Sequence, residues 1–140
     1  MKKYILTFGI LFLLIFVISA YAGDMDVAIR EADKKLQANG FLLEDEIDEI
    51  LEAEQTPDVL SKVTDDQQKA IVAELREAQE INARESRKLG LGIADQLEQS
   101  IYQDGIFKNK MLKARRAIAK KYGIQAGDIT AIEFHVMYPD

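Results

Sequence analysis

Of the side chains that usually carry enzyme chemistry, this sequence holds very few. It has no cysteine and one histidine, His135, which sits near the C-terminus beside apolar neighbours. Without a thiol there is no thiolate nucleophile, and one imidazole cannot build a His-rich zinc site within a chain. His135 reads as a packed or surface histidine. No Gly-x-Ser-x-Gly elbow and no phosphate-cradling glycine loop occurs. No cofactor, no metal and no catalytic residue is therefore expected.

What the chain has in quantity is charge, with 24 acidic and 18 basic side chains. Glu44, Asp45, Asp48, Glu49 and Glu52 crowd the polar side of one predicted helix. Lys110, Lys113, Arg116 and Lys120 crowd that of another. Such runs are usually solvated faces. The sharper reading is mutual attraction, within one chain or between chains. It makes Lys110, Lys113, Arg116 and Lys120, with Glu44, Asp48 and Glu52, a candidate partner surface. Calcium on the acidic side lacks a dedicated loop, since helix-borne carboxylates need turns or carbonyls to complete about six to eight oxygens. Asp24-Met25-Asp26 does not continue into an EF-hand. A small all-helical enzyme working with charged side chains remains the competing class, because Asp, Glu, Arg and Lys are abundant everywhere.

The charge is unevenly spread. Residues 23 to 103 hold 20 acids and 9 bases, net −11, whereas residues 104 to 140 hold 4 acids and 7 bases, net +3. A chain with this acidic excess is a poor candidate for sequence-independent nucleic-acid binding, which depends on Lys and Arg neutralising phosphates.

The first 22 residues read differently from the rest. Lys2 and Lys3 precede a nearly unbroken apolar run from Ile5 to Ile18, followed by Ala20-Tyr21-Ala22. A positive start, a short apolar run and a small-x-small site form the pattern of a secretory signal peptide. Cleavage is expected between Ala22 and Gly23, giving a signal peptide at 1–22 and a single α-helical domain at 23–140. The alternative is a retained membrane anchor, the only membrane association expected. The destination is outside the cytoplasm, periplasmic or secreted. An exported domain without disulfides must rely on apolar packing, which suits a helical bundle.

The expected fold is all-α, a small bundle of about five helices. Val27, Ile29, Ala32 and Leu36 form a loose helical stripe, stopped by Asn39-Gly40. Leu43, Ile47, Ile50 and Leu51 mark a second helix. Thr56-Pro57 reads as a cap and first residue of a short helical turn. Ile71, Leu75, Ala78 and Leu89 line up on a long helix whose stripe Asn82 and Glu85 interrupt, which implies a half-exposed helix or one completed by a partner. Gly90 and Gly92 predict a bend or connection. Ile93, Leu97 and Ile101 resume the pattern up to Asp104-Gly105, where a stop is expected. A further helix carries Phe107, Met111, Ala114, Ile118 and Tyr122. The last segment, 128–138, fits either a helix or an alternating strand; helix is favoured because a lone strand has no hydrogen-bonding partner.

Two short stretches resemble known motifs. Residues 117 to 133 resemble a helix-turn-helix at the framework positions: Ala119 at a close crossing, Gly123 at the turn, and Ile118, Ile129 and Ile132 in the core. Reading DNA would need polar or basic side chains on the second helix. Gly127, Asp128, Thr130 and Glu133 do not supply them, so the stretch is expected to be a helical hairpin without nucleic-acid contact. Val63-Thr64-Asp65-Asp66-Gln67 resembles the Leu-Thr-x-x-Gln signature of small exported helical proteins that act as stress chaperones or bind metals in the periplasm. The resemblance implies a periplasmic chaperone or metal-binding role. The same residues also form a capping box, in which Thr64 and Gln67 satisfy each other's backbone N–H groups.

The sequence thus predicts an exported, non-enzymatic helical binding protein of the cell envelope that works through protein–protein interaction or self-association.

Overall fold

The computed structural model describes residues 23–139, which form six helices and no strand. Residues 1–22, with the proposed leader and Ala22, lie outside the described residues. Helix α1 covers residues 23–38 and ends at Gly40, whose φ of +77° only glycine adopts without strain. Helix α2 is Glu44–Ala53, α3 is Val59–Lys62, α4 is Asp65–Ser86, α5 is Gln96–Tyr122 and α6 is Asp128–Met137. The last segment is therefore a helix, not a strand.

The long pair α4 and α5 forms the spine. Glu85 meets Lys110 and Glu74 meets Lys121, a pairing order that makes the two helices antiparallel. Helix α6 packs across both near the C-terminal end of α5, and α3 packs on α6. One apolar cluster unites them: Val59, Val63, Ile71, Val72, Leu75, Met111, Ile118, Ala119, Ile129 and Ile132. Helix α1 is absent from that cluster. It buries only the narrow stripe Ala28, Ala32 and Leu36.

The start of α4 confirms the capping box. Thr64 Oγ1 accepts the Gln67 N–H at 3.2 Å, and Gln67 Oε1 accepts the Thr64 N–H at 2.9 Å. The interruption of its apolar stripe has a partner in the same chain. Asn82 Nδ2 donates to Met111 Sδ and Glu85 pairs with Lys110, so the polar positions face α5. Leu89 lies beyond the end of α4 and is exposed, since the helix stops at Ser86. The expected connection follows, with Gly90 at φ +70°.

Two further sequence expectations are corrected. The stop at Asp104-Gly105 does not occur, and α5 runs unbroken from Gln96 to Tyr122. Gly105 lets α1 approach: a Cβ there would overlap the Leu36 side chain. The second correction concerns Thr56 and Pro57. Helix α3 begins at Val59, after Asp58 in a left-handed conformation with φ 55°. The Thr56 N–H donates to Asp128 Oδ1 at 2.6 Å, so this segment is shaped by a distant carboxylate.

Candidate functional site

The candidate charged surface forms in part. Helix α2 packs against α5, as opposed charge predicts. The bridges, however, join two of the singled-out residues, Glu44 and Arg116, to residues the spacing did not single out, Lys108 and Glu54. Lys108 binds Glu44 at 2.7 Å and Asp104 at 2.8 Å, at one end of α2. At the other end Arg116 holds Glu54 through both Nε and Nη2. Lys110 turns away to Glu85 on α4, while Lys113, Lys120, Asp48 and Glu52 remain exposed. The shifts follow the pairing. Partial burial disfavours the Lys108 charge, but its bonds to Asp104 and Glu44 outweigh this and hold its pKa above the usual value. The Glu54 hydrogen bond raises that of Arg116. The Lys110 hydrogen bond lowers the Glu85 carboxyl.

A different feature emerges where α6 begins. Asp128 is buried, and its carboxylate accepts two backbone N–H groups, Thr56 at 2.6 Å and Gln125 at 2.8 Å. Beside it the Gly127 N–H donates to the Glu54 carbonyl at 2.8 Å. A Cβ on Gly127 would overlap the Leu51 carbonyl oxygen, so only glycine permits this approach of two backbones. The latch corrects the outward placement of Gly127 and Asp128 in the helix-turn-helix reading. Both are buried, although the framework residues Ile118, Ala119, Ile129 and Ile132 are core as expected.

Latching the start of α6 to residues 54–56 leaves a groove of about 580 Å³ between residues 55–60 and α6. Val59, Leu60, Ala131, Phe134 and Tyr138 supply its apolar lining, and Thr56, Thr130 and His135 its polar points. Phe134 and Tyr138 are each 64% exposed and lie against one another, ring centroids 5.0 Å apart. Folding normally buries such rings, so two adjacent ones left in water mark a surface suited to association. Arg115 of α5 ties down α6: it donates to Thr130 Oγ1 at 3.2 Å and pairs with Glu133 at 3.7 Å. Burial lowers its pKa, opposed by Glu133. The outward face of α6 is thus apolar and aromatic where a DNA reader needs polar or basic groups.

The sequence held a partial signal for this groove. Phe134 and Tyr138 are four residues apart, on one helical face, but the strand reading of the same residues masked it. Among the described residues no group of three or more His, Asp or Glu could hold a metal ion. No protein-family model, no curated protein and no solved structure matches the chain.

Proposed function

We propose that this chain is an exported binding protein of the cell envelope that takes an apolar segment of a partner protein into the groove between α3 and α6. The observation that carries the reading is the pair Phe134 and Tyr138, exposed together over an apolar trough on a helix whose opposite face is core. An open apolar groove is what a binding module needs; a closed, polar-lined cavity would have favoured an enzyme. The amino-terminal pattern of 1–22 supports export, and the absence of cysteine is compatible with it. The pentamer behind the chaperone alternative also has a local role, because Thr64 and Gln67 cap α4.

The test is a double substitution, Phe134→Ser with Tyr138→Ser, in the tagged protein purified from the envelope after mild cross-linking. Both side chains are exposed, so the fold should persist by circular dichroism. The expected result is loss of partner proteins that the parent captures. An identical captured set would end the groove reading.

A further inference from the structure

A second groove lies along the first half of α5. Met25 and Ile29 of α1, Leu43 before α2 and Ile101 of α5 line a depression of about 500 Å³. Met25 is 39% and Ile29 40% exposed, so the floor is apolar surface left open to water. Its rim is acidic, formed by Asp33, Glu44, Asp45 and Asp104. Lys108 bridges Glu44 and Asp104, leaving the rim with a net negative charge. These carboxylates do not converge into a metal-holding group. They are spread along the edge, an arrangement that matches several cations carried on a chain better than one ion.

Two contacts position the walls in the folded state. Leu36 seats on Gly105, and Asn109 grips the Leu42 backbone from both sides, its Oδ1 accepting the N–H at 2.9 Å and its Nδ2 donating to the carbonyl at 2.8 Å. The rim therefore exists before any ligand arrives, and its charges need not be gathered on binding.

We infer that this groove binds a cationic amphipathic segment of a partner protein, with the apolar side chains in the trough and lysine or arginine heads on Asp33 and Asp45. Charge complementarity selects the occupant: an acidic segment would be repelled, and a neutral apolar one would leave the carboxylates unused. The inference is independent of the groove under α6.

Fluorescence anisotropy with three designed helical peptides tests it. The first has leucines on one face and lysines on the other. The second keeps the leucines and replaces lysine by glutamate, and the third keeps the lysines and replaces leucine by alanine. At low salt the lysine–leucine peptide should bind at least about tenfold tighter than either control, since several rim charges act together and screening is weak. Asp33→Asn and Asp45→Asn combined should weaken that binding about fivefold or more, as should raising the salt. Ile29→Ser should weaken it while Phe134→Ser leaves it unchanged, with helicity retained in every variant. Equal affinity for the lysine–alanine peptide would reduce the effect to bulk charge attraction and overturn the proposal. So would equal binding of the glutamate peptide, an unaffected double variant, loss through Phe134→Ser, or absence of binding. Adsorption of the protein to neutral phosphatidylcholine vesicles through Ile29 would assign the face to lipid and overturn it as well.

Discussion

The two ends of this molecule are built by different means. From α3 to α6, large apolar residues interlock in one cluster, and Ile71, Leu75, Ile129 and Ile132 are fully buried. Around α1 the contact is a stripe of two alanines and one leucine, assisted by polar clamps such as Asn109 on Leu42 and Lys35 on Glu98. Apolar burial stabilises by roughly 25 cal/mol per Å², and alanines bring little area. The difference teaches that stability is concentrated in the α3–α6 half. The α1 half should be able to open without global unfolding.

The comparison can be broken most forcefully with one substitution placed at both ends. Gly127→Ala pushes a methyl group into the backbone carbonyls of Leu51 and Glu54, which cannot step aside. It should cost about 3 kcal/mol, the upper range for overpacking, read as a lowered urea midpoint. Gly105→Ala meets only the movable end of Leu36 and gains about 1 kcal/mol of helix propensity in α5. Its midpoint should hardly move. Similar losses at both sites would remove the contrast.

Polar clamps give a second, smaller contrast. Asp128→Ala leaves the Thr56 and Gln125 N–H groups without their acceptor. About 1–3 kcal/mol of global stability should be lost. Asn109→Ala frees the Leu42 backbone in the same way, but in the less cooperative half. Hydrogen exchange should accelerate around residues 41–43 and in α1, with α4 and α6 unchanged. Faster exchange throughout would show that the halves unfold together.

The pH dependence should be milder. Hydrogen bonds from Lys121 and then Tyr122 hold the Glu74 carboxyl below its usual value. A depressed carboxylate contributes stability above its unfolded pKa and loses it as pH falls through the folded one. Lys121 is raised, chiefly by the Glu74 hydrogen bond, so its contribution is complete below its unfolded pKa and fades as pH rises through the folded value. The urea midpoint should be flat between about pH 5.5 and 9.5 and fall on both sides. Glu74→Gln should flatten the acid limb; an unchanged limb would mean that this cluster contributes nothing.

The smallest effects belong to the outer face of α5. Lys113→Glu and Lys120→Glu alter exposed positions and should each stay within about 0.5 kcal/mol. Arg116→Glu faces Glu54 and should cost about 1 kcal/mol at low salt, less as salt screens it. If these reversals also weaken self-association in sedimentation at low salt, the basic face serves a second copy. No change in sedimentation leaves it a solvated face.

Local signals in the sequence were legible, and distant ones were not. The Gly40 stop, the Thr64–Gln67 capping box and the hairpin framework around Gly123 depend on residues within a turn or two of each other. Gly105 looked like a helix stop because its purpose, admitting Leu36, lies on another helix. Asp128 looked like an outward acid because its partner, the Thr56 N–H, is far away in the chain. The charged faces were right in sign and wrong in detail. Spacing identifies which residues share a face, but side-chain reach and helix offset decide that Lys108 and Arg116, rather than Lys113, meet α2.

The claim that matters most is that the groove under α6 takes a partner, and site-specific photo-crosslinking tests it directly. A photoreactive phenylalanine analogue at position 134, with position 113 on the outer face of α5 as control, would be illuminated in the producing cells. The account predicts a discrete protein adduct from 134 that 113 does not give. The absence of any adduct at 134, or the same pattern from both positions, would contradict it.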